Sequence, residues 1–101
     1  MRTTKSLEEI KRILQGHKSI LAKEFHVKEI NLFGSYVRGE DTPASDVDIL
    51  VEFEKPIGLK IVDLKDYLEQ ILGVEVDVVS KKAVIRRPRL WKYIKEELVS
   101  V

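Results

Sequence analysis

The sequence predicts a small α/β (α+β) fold, a mixed β-sheet with helices packed mainly on one face. Three observations carry that prediction. Val47, Ile49, Val51 and Phe53 alternate strictly, as do Val74, Val76 and Val78, and period two is the period of a strand. Apolar residues recur at helical spacing in Leu7, Ile10, Leu14, Leu21 and Phe25, and again in Leu59, Val62, Leu64, Tyr67, Leu68, Ile71 and Leu72. The segments run in the order helix, strand, short helix, strand, helix, strand, helix.

Each element has its own local warrant. Ser6 stands as N-cap of the first helix, with Glu9 three residues on as in a capping box. Gly16 weakens the middle of that helix and is a place for it to divide. Val27 to Phe33 reads as a strand with Ile30 and Leu32 on one face. A glycine turn at Gly34 leads into a short helical turn from Tyr36 to Gly39, and Glu40 to Ser45 reads as a loop broken by Thr42-Pro43. Pro56 and Gly58 end the next strand, and Gly73 stops the second long helix. Beyond Pro88, the residues Leu90, Trp91, Ile94 and Leu98 trace a final helix.

The chain has 101 residues, enough for one compact domain over 1–101 and too few for two. No apolar run approaches the roughly 20 residues that span a bilayer, and Met1-Arg2-Thr3-Thr4-Lys5 lacks the pattern of a signal peptide. No membrane association is expected, and a cytoplasmic location is the default. There is no cysteine, which excludes disulfides and thiolate metal sites. The net charge of +1 implies no attraction of the whole molecule to nucleic acid, and direct nucleic-acid binding is not expected. Lys81, Lys82, Arg86, Arg87, Arg89 and Lys92 nevertheless fall in one stretch without an acid, either a solvated face or a surface for phosphates, an acidic partner or RNA.

The chemistry concentrates in Gly34-Ser35-Tyr36-Val37-Arg38-Gly39 and Ser45-Asp46-Val47-Asp48. Alternation along a strand puts Asp46 and Asp48 on one face and Val47, Ile49 and Val51 on the other. The same arithmetic puts Val74, Val76 and Val78 inward and leaves Glu75 and Asp77 on the opposite face, Glu75 with no assigned role. If the two strands are neighbours, Asp77 approaches Asp46 and Asp48. Two unit charges about 4 Å apart repel by roughly 4 kcal/mol at an effective dielectric of about 20. A cation is therefore expected among the three acids, and all-oxygen ligation suits Mg²⁺. Two such ions about 3.5–4 Å apart serve an in-line displacement. Gly34 lets the backbone approach a ligand closely. Ser35 offers a hydroxyl and an N–H at the start of a short helix, a favourable place for phosphate. Arg38 lies one turn on from Ser35, where it reaches either a phosphate oxygen or, as a surface ion pair, Glu40 or Asp41.

The pattern Gly34-Ser35, ten intervening residues, then Asp46-Val47-Asp48 resembles the signature of the DNA polymerase β-type nucleotidyltransferases. The longer forms, through Gly39 and Val51, resemble the minimal nucleotidyltransferases, and the likeness covers nearly the whole chain. The resemblance implies a polymerase β-type core. It implies that Asp46, Asp48 and Asp77 bind two Mg²⁺ ions, that Asp77 also helps activate the attacking hydroxyl, and that Gly34 and Ser35 hold the β- and γ-phosphates of ATP. Many minimal nucleotidyltransferases are antitoxins that transfer AMP to a tyrosine of a HEPN-domain toxin, and that is the specific activity implied here. Larger relatives add an acceptor domain. This chain has none to spare, so a partner or a second copy is expected to supply that site.

Two competing readings go with this one: a module that neutralises a toxin by occlusion, and a small-molecule nucleotidyltransferase of the aminoglycoside-modifying kind. Trp91, at helical spacing, is expected in the core or an interface, and His17 and His26 are expected to be structural. Tyr36 reads equally as pocket wall or packing, and the apolar end Leu98, Val99 and Val101 equally as a subunit contact or a frayed terminus.

Overall fold

The computed structural model describes residues 6–40 and 46–101. Ser6 closes a capping box on α1 (Leu7–Gly16). Its side-chain oxygen accepts from the Glu9 N–H at 3.2 Å, and the Glu9 carboxylate accepts from the Ser6 N–H at 3.4 Å. The helical stretch divides at Gly16 as expected, and α2 (Lys18–Phe25) follows. Next come β1 (Val27–Phe33), α3 (Ser35–Arg38) and β2 (Val47–Phe53). After them lie α4 (Lys60–Leu72), capped by Gly73, and β3 (Val76–Ser80). The chain then forms α5 (Lys81–Ile85), α6 (Pro88–Lys95) and β4 (Val99–Ser100). Most of the loop expected over Glu40 to Ser45, including Asp41 and Thr42-Pro43, lies outside the described residues, as does the leading Met1 to Lys5.

The sheet runs β3-β2-β1-β4 and is mixed. β1 pairs antiparallel with β2 and with β4, whereas β2 and β3 are parallel, joined by the α4 crossover that parallel neighbours require. One face carries Ile30, Leu32, Val47, Ile49, Val51 and Val76 against Ile10, Leu14, Leu21, Phe25, Leu64, Leu68 and Leu72 of α1, α2 and α4. Full burial of one leucine side chain contributes about 2 kcal/mol, so this layer is the main source of stability. A smaller cluster of Leu50, Val84 and Ile94, flanked by Phe33, Val79, Trp91 and Leu98, lies on the other face. The helices are thus mainly on one face, with α5 and α6 covering part of the second.

Several details differ from the sequence-based expectation. Leu59 and Val62 leave the apolar stripe and are 89% and 58% exposed. α4 starts only at Lys60, and Val62 lies two residues from Leu64, on the far side of a 3.6-residue turn. β3 begins at Val76, so Val74 packs against the core from the preceding turn. The five-residue α5 was not anticipated. The final helix stops at Lys95, before Leu98, and the terminus neither frays nor stands free. Val99 pairs with Leu32, Ser100 with Asn31, and the Val101 N–H donates to the Ile30 carbonyl at 3.2 Å. Tyr36 is 5% exposed within the main core, which favours packing. Trp91 packs against the smaller cluster with the Lys81 ammonium 5.8 Å above its ring. His17 is structural, its Nδ1 2.7 Å from the Tyr67 hydroxyl.

Candidate active site

The site begins where β1 ends. Gly34 has φ 84° and ψ −155°, a conformation essentially reserved for glycine. A second constraint acts at the same residue. The place a Cβ would take is occupied by Oδ2 of Asp48. The antiparallel register explains the contact, because Phe33 faces Asp48 directly across the β1–β2 ladder. The Gly34 carbonyl then accepts from the Val37 and Arg38 N–H groups, both at 3.1 Å, and so starts α3 with Ser35 as its first residue.

The parallel register sets the second pair: Asp48 lies opposite Asp77. Asp46 precedes β2 and shares the face of Asp48, and the Val47 N–H between them is fixed by the Glu75 carbonyl at 3.0 Å. The expected neighbourhood of β2 and β3 is therefore present. β3 is an edge strand and Asp77 is exposed on it, as a solvent-facing edge-strand acid would also be. Among the described residues, no three His, Cys, Asp or Glu side chains are already gathered as a metal-holding group. The backbone brings Asp48 and Asp77 side by side.

Electrostatics mark Asp48. Burial raises its carboxyl from the ordinary 3.8 to about 6, the charges of Asp77, Asp46 and Glu97 push the same way, and Arg38 opposes them. Burial removes the water that would stabilise the anion, and the neighbouring carboxylates add repulsion. An all-carboxylate donor set that stabilises its own charge this poorly fits a hard divalent cation such as Mg²⁺.

Arg38 is engaged on the protein itself. Its Nε donates to Glu40 at 2.9 Å, which is the ion pair foreseen as one of its two options. Its Nη1 donates to both oxygens of Glu97 at 3.1 Å and reaches the Tyr93 hydroxyl at 3.5 Å. Glu40 and then Glu97 hold the guanidinium pKa further above its already high ordinary value. Glu97 was missed in the sequence. It also accepts from the Gly34 N–H at 3.1 Å. It lies in the turn between α6 and β4, two residues before Val99 pairs with Leu32 on β1. No periodicity marks so short a strand.

The basic stretch falls elsewhere. Lys81, Lys82 and Arg86 line a cleft of about 730 Å³ with Glu52 to Gly58, at the end of β2 remote from Asp48. Lys81 pairs there with Glu52 at 3.6 Å.

The sequence profile of the nucleotidyltransferase domain matches residues 10–101. A candidate protein adenylyltransferase of Methanocaldococcus jannaschii is 51% identical over 98 residues, 96% of this chain and 99% of that protein. The protein adenylyltransferase MntA of Thermococcus cleftensis is 48% identical over 97 residues, 95% of this chain and 96% of that one. A solved minimal nucleotidyltransferase superposes with a TM-score of 0.81 at 33% identity, covering 99% of this chain and all of that one. An MNT antitoxin in complex with a tri-AMPylated HEPN toxin of Shewanella oneidensis superposes with a TM-score of 0.65. It is 19% identical, covers 90% of this chain and 70% of that one, and shares the fold.

Proposed function

The chain belongs to the nucleotidyltransferase domain family and is an enzyme of that class, and from this premise we propose that it transfers AMP from Mg²⁺-bound ATP to a protein hydroxyl, a tyrosine of a HEPN-type toxin. One observation carries the reading: Asp48 is seated where Gly34 lacks a side chain and is paired in register with Asp77.

In this reading Asp46, Asp48 and Asp77 would hold two Mg²⁺ ions. Bound there, the metal would neutralise the triphosphate and stabilise charge developing at the α-phosphorus. Gly34 and Ser35 bind the β- and γ-phosphates from the turn that opens α3, and Arg38 reaches a phosphate oxygen. The acceptor oxygen bonds to the α-phosphorus while the bond to the bridging oxygen of the β-phosphate breaks and pyrophosphate leaves. Asp77, exposed beside Asp48, takes the hydroxyl proton. Positioning and preorganised charge supply most of the rate enhancement.

The acceptor class is supported by the names of the relatives and by the antitoxin whose fold this chain shares, which is bound to an AMPylated toxin. A reaction that consumes ATP on an RNase toxin belongs in the cytoplasm, and no described helix is long and apolar enough to cross a membrane. The test is to incubate the chain with ATP, Mg²⁺ and its co-purified partner and to weigh the partner intact. The expected result is a mass increase of one or more AMP groups on tyrosine, absent in the Asp46→Asn, Asp48→Asn double variant. An unmodified but silenced partner would instead support neutralisation by occlusion.

A further inference from the structure

Glu97 lies outside the sequence motif, yet it holds two of the groups that the proposed reaction needs. Its Oε1 accepts from the Gly34 N–H at 3.1 Å, and both its oxygens accept from Arg38 Nη1 at 3.1 Å. Gly34 N–H and Arg38 are also the donors that would meet phosphate oxygens. A carboxylate and a phosphate edge present similar acceptor geometry to an arginine, and both form charge-assisted hydrogen bonds. The Glu97 side chain is 16% exposed, and its bond to the Gly34 N–H is part-buried, while the Arg38 side of the contact is open to solvent at 36% exposure. It is also costly where it stands, because its charge adds to that of Asp77 and Asp46 against Asp48. The Glu97 backbone is itself held in the turn between α6 and β4, its N–H donating to the Ile94 carbonyl at 3.0 Å.

We propose that Glu97 is an internal stand-in for phosphate: its carboxylate occupies the Gly34 N–H and Arg38 in the nucleotide-free protein, and an incoming triphosphate must displace it. Glu97 thereby sets the affinity for nucleotide. This rests on the reading of Gly34 and Arg38 as phosphate-binding groups. Until a triphosphate arrives, the carboxylate keeps Arg38 ordered and the turn in shape.

The test is calorimetric titration of inorganic triphosphate and of ATP with Mg²⁺ into wild type and Glu97→Gln. Removing one charge-assisted competitor is expected to tighten both ligands about tenfold. In turnover, KM for ATP should fall with kcat little changed, whereas a merely supporting residue would raise KM or lower kcat. In ¹⁵N spectra the Gly34 amide should move in Glu97→Gln while core resonances stay in place. Unchanged or weaker affinity in Glu97→Gln overturns the proposal. Should that variant fail to fold, Glu97→Asp, one methylene shorter, keeps the charge but loses its reach. It too should bind triphosphate more tightly, and no gain there overturns the proposal as well. Failure of the underlying reading looks different: wild type would not bind triphosphate, or Arg38→Ala would bind it equally well.

Discussion

Burial and the neighbouring carboxylates of Asp77, Asp46 and Glu97 push Asp48 to about 6 from an ordinary 3.8. The sign of the consequence is fixed. The folded-state value lies above the unfolded one, so this group's contribution to stability is fully present below about pH 3.8 and is lost as pH rises through about 6. In metal-free protein at about pH 7.5, Asp48→Asn is therefore expected to melt at a higher temperature than wild type, and the gap should close in acid. Equal melting temperatures at neutral pH would contradict the strained carboxylate. Gly34→Ala is expected to act in the opposite direction. It forces alanine into a glycine-only conformation, at about 1–3 kcal/mol, and drives Asp48 from its seat. Gly39→Ala meets nothing within 4 Å and bears only the strain of its positive φ. Thermal melts and adenylylation rates of the two variants, side by side, check the difference: Gly34→Ala should lose both stability and turnover, and Gly39→Ala mainly some stability.

At the scale of elements, strands decide what the site contains. The alternation of β2 and β3 was legible, and it placed Asp46, Asp48 and Asp77 on one face before any pairing was known. That the two strands are neighbours follows from α4, long enough for a parallel crossover. The short pieces were not legible. α5 has five residues and ends just before the break at Pro88, and β4 has two, too few for either period to show. Glu97 was hidden for that reason, since it lies in the turn between α6 and the two-residue β4. Removing residues 99–101 would erase the β4 pairing with β1. The expected outcome is a lower melting temperature, by several degrees for about 1 kcal/mol lost, with the Gly34 amide released from Glu97. Leu68→Ala tests the opposite layer. Leu68 is fully buried in α4, and its truncation should cost about 2–5 kcal/mol in denaturant unfolding without altering metal binding by what folded protein remains.

Across the molecule, stability and chemistry occupy opposite faces of the sheet. The large core packs α1, α2 and α4 behind it, while the acids, Gly34 and Glu97 gather at the end of the other face that α5 and α6 leave open. The sequence motif located this site because alternation and turn chemistry are local. It offered Arg38 the local pair with Glu40 but gave no sign of the second pair, to Glu97, which arrives from 59 residues away. The most direct measurement compares ATP labelled at the α-phosphate with ATP labelled at the γ-phosphate, in the presence of Mg²⁺ and the protein partner. The account predicts that only α-label reaches the partner, that pyrophosphate is released, and that Asp48→Asn abolishes both. Transfer of γ-label, or full transfer by Asp48→Asn, would contradict it.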